Sequence, residues 1–152
     1  MKIDLTGKTA VVTGSTRGIG RAVAQALADS GARVAIVGRD REKAAAVAGE
    51  VGHGATGFAC DVADTSAVAA LIAEVEKEFG GIDILVNNAG LTRDNLVMRL
   101  SDEDWDTVMN ANLRGAFAAI RAVSRGMMKK RAGRIINMAS VVGLNGNKGQ
   151  SN

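Results

Sequence analysis

The sequence predicts an α/β protein built on a doubly wound parallel sheet, and three observations carry the prediction. Apolar runs of strand length alternate with longer segments of helical periodicity. The strand runs, such as AVVTG and ILVNN, are apolar throughout rather than at every second residue, as parallel strands are when helices cover both faces. The first of them runs into a glycine-rich turn that opens a helix. With 152 residues, 47% of them hydrophobic and 23% charged, the chain is expected to form one domain, residues 1–152.

Taken in order, the first strand spans Thr9 to Thr13 and the first helix Arg17 to Ser30, an Ala-rich segment of high helix propensity. The second strand, Arg33 to Val37, precedes a helix over Arg41 to Val51. The third strand is Thr56 to Cys60, and Asp64 is placed to cap a helix over Thr65 to Phe79. After the fourth strand, Ile82 to Asn87, Ser101 and Asp104 stand at capping-box spacing, with Asp in place of Glu or Gln. They open one long helix, Asp102 to Lys130. The fifth strand, Arg134 to Ala139, delivers Ser140 into a loop rich in Gly and Asn.

Composition removes several function classes. The net charge is +3, but Asp and Glu are interleaved with Lys and Arg and aromatics are only 3%, so no stacking platform or one-sided basic stripe marks a nucleic-acid binder. Cys60 is the single cysteine, which rules out an internal disulfide and a thiol pair for a metal, and fits a reducing cytoplasm. No apolar segment has signal-peptide or membrane-span length, so neither export nor insertion is expected. His53 and Trp105 read as a loop residue and a helix-packing anchor, and Cys60 as a small core residue.

The turn after the first strand reads TGSTRGIG, with Gly14, Gly18 and Gly20 at the junction with the helix. Such a loop lets backbone approach a pyrophosphate while the helix N-terminus offers it free N–H groups. Its place in the first strand-helix unit is the context a dinucleotide site requires. GKT at Gly7 to Thr9 is not a P-loop, because Lys2 stands where that motif needs Gly and a strand follows. At the end of the second strand, where a carboxylate commonly binds the ribose hydroxyls, the sequence has Arg39 after Gly38. With Arg17 in the loop, this pair suits a 2′-phosphate, which favours NADPH; Asp40 keeps NADH open.

TGSTRGIG, CDVAD, DILVNNAG, NANL and IINMASVVG, in this order and spacing, resemble the N-terminal part of the short-chain dehydrogenase/reductases. Within that family NNAGLTRDNLVMRL and MMKKRAGRIINMASVVG are most similar to the bacterial 3-oxoacyl-acyl carrier protein reductases. The resemblance implies a Rossmann-like sheet ordered 3-2-1-4-5. It also implies NADPH-dependent reduction of acyl carrier protein-linked 3-oxoacyl thioesters in fatty-acid synthesis. The loop Gly14, Ser15, Thr16, Arg17, Gly18, Ile19, Gly20 would hold the pyrophosphate. Asp61 and Val62 would contact the adenine, and Asn88, Ala89 and Gly90 would line the cofactor site. Ser140, on the substrate carbonyl, and Asn112, holding a water in a proton relay, would be two members of the catalytic tetrad. Plainer readings stand beside these: Asn88 ties strands, Asn112 is a polar helix residue, Ser140 forms a turn.

The family's Tyr-x-x-x-Lys motif falls, on this spacing, one place beyond Asn152, and the 152 residues hold no Tyr. A hydride acceptor needs a proton donor, and assistance of that kind is commonly worth ~10²- to 10⁴-fold. The chain alone is therefore expected to bind cofactor with negligible catalysis. Its fifth strand is expected to be an apolar sheet edge, and the chain a homo-oligomer. Lys129, Lys130, Arg131 and Arg134 form a basic cluster that would by resemblance meet an acidic acyl carrier protein, or is simply a solvated helix end.

Overall fold

Every strand in the sheet is parallel to its neighbours, in the order β3-β2-β1-β4-β5. The computed structural model describes residues 3–152. The strands are β1 (Thr9–Val12), β2 (Arg33–Gly38), β3 (Thr56–Ala59), β4 (Ile84–Asn87) and β5 (Arg134–Asn137). Between the first four run α1 (Gly18–Asp29), α2 (Arg41–Val51) and α3 (Thr65–Phe79); α4 (Asp102–Val108) and α5 (Gly115–Lys130) lead to β5, and α6 (Val142–Asn145) follows it. The Rossmann-like doubly wound fold and its strand order are as expected.

The unbroken apolar character of the strands has a direct cause. Successive residues of β1 enter two different cores, because strand side chains alternate between faces. Ala10 and Val12, with Val34, Ile36 and Val86, pack against Ala24 and Ala28 of α1 and Val47 and Val51 of α2. Val11, with Val37, Phe58 and Leu85, packs against Val68, Leu71 and Val75 of α3 and Ala119 and Val123 of α5. Cys60 belongs to this second core. Burial pushes its thiol up to about 11, with the charges of Asp61 and Asp64 adding to the effect, so it is an inert packing group rather than a nucleophile.

Helix entry points follow the capping chemistry. Asp64 accepts from the Ser66 and Ala67 N–H groups at 2.8 and 3.2 Å, as expected for α3. At α4 the Asp104 N–H donates to Ser101 Oγ at 3.1 Å. The reciprocal half of the box is altered: the Ser101 hydroxyl donates to Asp104 Oδ2 at 3.0 Å, the shorter Asp side chain meeting the hydroxyl. Asp40 caps α2 by accepting from the Lys43 N–H at 3.0 Å.

Two expectations about helices are corrected. The single helix expected over Asp102 to Lys130 is opened in its middle by a π-helical turn, Met109–Arg114, between α4 and α5. The cause is tertiary: the Asn112 amide is drawn out to the Leu91 backbone, accepting from its N–H and donating to its carbonyl, both at 2.9 Å. Residues after Ser140, expected as loop, include the short α6.

Among the described residues β5 pairs only with β4 and is the sheet edge on that side. Ile135 and Ile136 on its two faces are 39% and 45% exposed, so the expected apolar edge is present.

At the opposite end of the strands Asp83 ties three elements together. Its carboxylate accepts from the Thr9 N–H and hydroxyl at 3.0 and 3.1 Å and from Lys130 Nζ of α5 at 2.9 Å. Partial burial works to raise its pKa, but the Lys130 and Thr9 hydrogen bonds and the Lys130 charge outweigh it, and the carboxyl is held below the usual value. A depressed folded-state pKa contributes stability that is fully present above the unfolded value, about 3.9 for Asp, and lost as pH falls through the folded one. Urea midpoints measured from pH 7 to pH 2.5 should therefore fall more steeply below pH ~4 in the native chain than in Asp83→Asn. Parallel curves would show that the Lys130 pair does not carry this linkage.

Candidate functional site

The strand order reverses between β1 and β4, whose connections leave to opposite sides, and a crevice opens there at the C-terminal ends of the strands. Thr13 is the pivot of that crevice. Its hydroxyl oxygen accepts from the N–H groups of Asn88 and Ala89, both at 3.0 Å, so the turn after β1 and the turn after β4 are stitched at one buried atom. Asn88 answers from the other side, its Nδ2 donating to the carbonyls of Thr13 at 2.9 Å and Gly14 at 3.2 Å. Asn88 therefore does tie the strand ends together.

Gly14 sits at φ +64, and a Cβ on it would lie 2.8 Å from Ala89 Cα. Gly20, in the first turn of α1, would put a Cβ 2.5 Å from the Gly14 carbonyl oxygen and against Asn88 Nδ2. The glycines thus let helix, loop and the β4 turn close on one another with no side chain between them. Thr16 lies over the end of β2, against Gly38. Arg17 and Arg39, which follow Thr16 and Gly38 in sequence, are both exposed.

The N-terminus of α1 differs from those of α2, α3 and α4. Arg17 at its N-cap makes no side-chain capping bond and the first turn carries no acid, whereas Asp40, Asp64 and Ser101 cap the other three. The first-turn N–H groups of α1 therefore have no capping side chain, and the positive end of the helix dipole lies at this turn. Exposed Gly18 and Ile19 stand at this end, with Ile19 66% exposed.

Ser15 is placed differently from its neighbours. It is fully buried; its hydroxyl donates to the Val12 carbonyl at 2.6 Å and accepts from the Val37 N–H at 2.8 Å. Its side chain is a scaffold between β1 and β2 and does not face the crevice. Asp61, exposed, accepts from the Ala63 N–H at 3.0 Å, and half-buried Val62 packs its carbonyl against Gly115 at the start of α5. Gly90 is exposed beside Asn112, to which its Cα position is close enough that a Cβ would lie 3.2 Å from Oδ1.

Ser140 leaves the C-terminal end of β5 on the same edge of the sheet. Its Oγ accepts from the Val142 N–H at 3.2 Å, so it forms the turn into α6 and keeps its hydroxyl proton free to donate. Asn112 is engaged with Leu91 rather than with Ser140. Sequence reasoning missed three residues of this region: Thr13, and Asn87 and Asn137, whose side-chain bond of 2.8 Å locks β5 beside β4 below Ser140. The doubled Asn at 87 and 88 inside an otherwise apolar strand end was the available signal.

Among the described residues no cluster of His, Cys, Asp and Glu has a metal-binding arrangement, and no helix is long and apolar enough to cross a membrane.

The short chain dehydrogenase family model matches residues 8–152. A 3-oxoacyl-[acyl-carrier-protein] reductase of Vibrio harveyi is 49% identical over 150 residues, covering 99% of this chain and 62% of the relative. The enzyme of the same name from Escherichia coli is 46% identical with the same coverage. A crystal structure described as that of a short-chain alcohol dehydrogenase from Sinorhizobium meliloti superposes with a TM-score of 0.94 at 36% identity, over 99% of this chain and 61% of that one. The chain thus spans about 62% of the length of the curated relatives it matches. Matched over nearly its whole length in sequence and in fold, the chain belongs to the short-chain dehydrogenase family.

Proposed function

We propose that this chain is the dinucleotide-binding portion of an NADPH-dependent reductase of 3-oxoacyl thioesters carried on acyl carrier protein. The observation that carries the cofactor reading is the uncapped N-terminus of α1 beneath a glycine loop that has no room for a Cβ at Gly14 or Gly20. An anion there would meet the N–H groups of Gly18, Ile19 and Gly20 and the loop backbone at Thr16 and Arg17. Arg39 and Arg17 would hold a 2′-phosphate. Asp40 is occupied at the start of α2, which weakens the case for a ribose-binding carboxylate and supports NADPH over NADH. Asp61 and Val62 would flank the adenine, and Asn88, Ala89 and Gly90 would border the nicotinamide side.

NADPH supplies, when bound, the hydride that reduces the 3-oxo carbon. The chain's own contribution is a hydrogen bond from the Ser140 hydroxyl to the carbonyl oxygen. Asn112, whose side-chain amide is engaged by Leu91, would by resemblance hold a water of the proton relay. These 152 residues hold no Tyr, so the phenol that resemblance assigns as acid is not supplied by them, and we expect the chain by itself to turn over negligibly. A second reading, a non-catalytic domain that self-associates, is favoured by the exposed Ile135 and Ile136 of the unpaired β5 edge.

Calorimetric titration tests the cofactor assignment. Saturable binding is expected, with NADPH tighter than NADH by about 10-fold or more, the worth of hydrogen bonds to a charged group. Equal affinities would overturn the 2′-phosphate reading, and no binding of either would overturn the cofactor site. Sedimentation of the same sample reads the association state.

A further inference from the structure

Ser140 opens a segment whose far end is fastened to another part of the chain. The Gln150 side chain is the knot. Its Nε2 donates to both carboxylate oxygens of Asp94, at 3.1 and 3.2 Å, and its Oε1 accepts from Asn147 Nδ2 at 3.0 Å. Beside it the Asn95 N–H donates to the Gly149 carbonyl at 2.8 Å, which sets Asn95 and Gln150 in a parallel bridge. An amide donor meets a carboxylate here, so the pairing is charge-assisted and has a direction.

The stretch that receives Gln150 is itself held from the helices. Asn112 in the π turn grips Leu91 by both its N–H and its carbonyl, each at 2.9 Å. Asn95 folds back on its own turn, accepting from the Leu96 N–H at 2.9 Å and donating to the Arg99 carbonyl at 3.0 Å.

On the other side, hydrogen bonds lead from Gln150 back toward Ser140. The Gln150 N–H donates to the Asn147 carbonyl at 3.2 Å, and the Gly146 N–H to the Val142 carbonyl at 2.8 Å. The Gly143 N–H then donates to the Ser140 carbonyl at 3.0 Å, next to the Val142 N–H on Ser140 Oγ. Asn112 and Ser140, whose side chains bond to different partners, are thus joined through residues 91–95 and the turn at 147–150.

We infer that Asp94 is a positioning residue for Ser140. By holding Gln150 it fixes the far end of the Ser140 segment to the stretch that Asn112 holds, and so sets the Ser140 hydroxyl in register with the π turn. The value of that register for chemistry rests on the proposed meeting of Ser140 with the substrate carbonyl.

The test needs neither cofactor nor substrate. Amide hydrogen exchange is followed in the 15N-labelled chain at Gly143 and Gly146, with Val11, fully buried in β1, reporting the global fold. Asp94→Ala is expected to speed exchange at both glycines about 3- to 10-fold and leave Val11 unchanged. Gln150→Glu, which sets carboxylate against carboxylate, should do the same. Adding Asp94→Asn to Gln150→Glu puts a donor opposite an acceptor again with the direction reversed, and should bring both glycines back to within about 2-fold of the parent. A side chain that merely fills space gives no such rescue. Asn112→Ala, which removes the grip on Leu91, should loosen the same two amides from a distance. Unchanged glycine rates in Asp94→Ala or in Asn112→Ala, or a Gln150→Glu chain that Asp94→Asn fails to rescue, would each overturn the inference. Should Asp94→Ala also lose protection at Val11, the swapped pair, which keeps both side chains at their size, decides. A rescued pair in a chain that binds no NADPH would sink the reductase reading and leave the clamp standing. A failed rescue in a chain that binds NADPH would sink the clamp alone.

Discussion

Gly14→Val is expected to abolish detectable NADPH binding, a loss of at least about 100-fold, and to lower unfolding stability by about 2–5 kcal/mol. Two separate costs combine. At φ +64 any L side chain is disfavoured by roughly 1–2 kcal/mol, and a β-branched one by more. The new Cβ would also lie 2.8 Å from Ala89 Cα, where the contact is with backbone and not with a side chain that can swing away. Ala89 cannot yield alone, because its N–H is fastened to Thr13 Oγ1, so relief must come from moving the loop off the β4 turn. Moving the loop withdraws the backbone that an anion would meet. Gly20→Val checks the same geometry without the backbone strain, since its Cβ would strike the Gly14 carbonyl at 2.5 Å. Calorimetry with NADPH reads the site and urea unfolding reads the fold. A Gly14→Val chain that binds like the parent would show that the loop is a structural turn and no cofactor cradle.

What was readable in advance, and what was not, divides on whether a feature is local. Val11, Ala10 and Val12 are all apolar because Val11 enters one core and its two neighbours enter the other, so the strands announced a sheet covered on both faces. The cap at Asp64 is local chemistry and was readable too. The π turn at Met109–Arg114 was not, because it depends on Leu91, 21 residues away from Asn112 in sequence. The exposed edge at β5 was legible only through the family resemblance: RIINMA has the composition of a central strand, and its burial depends on what lies beside it rather than on its own residues. In the site, the glycines were legible because each answers a backbone demand. Ser15 was grouped with them by position in the motif, but its burial under β2 comes from the Val37 pairing, a contact between elements. Asp40 was read from sequence only as the residue that keeps NADH open; the structure makes it the N-cap of α2, through the hydrogen bond from the Lys43 N–H.

Thr13→Val removes one oxygen and should cost about 2–4 kcal/mol, although the two side chains have nearly the same shape. Thr13 is 4% exposed, and its Oγ1 is the acceptor for the Asn88 and Ala89 N–H groups. Valine leaves both donors without a protein partner, and each buried orphan costs about 1–3 kcal/mol. Asn88 and Ala89 are half-buried, so water recovers part of this for at least one of them, which sets the expected loss below the full sum. The hydroxyl's own donation, to the Val86 carbonyl at 3.4 Å, is long and adds little. Thr13→Ser keeps the acceptor while losing a methyl group, so it should lie close to the parent, within about 1 kcal/mol. The serine control separates the hydrogen-bond argument from packing. If valine were destabilising through a changed cavity, serine, the smaller residue, would be the worse of the two. Urea unfolding of the three chains gives the order directly: parent, then serine, then valine. Valine at or above serine would show that the stitch between the β1 and β4 turns is carried by Asn88 and the strand pairing, and that the crevice does not depend on the Thr13 hydroxyl.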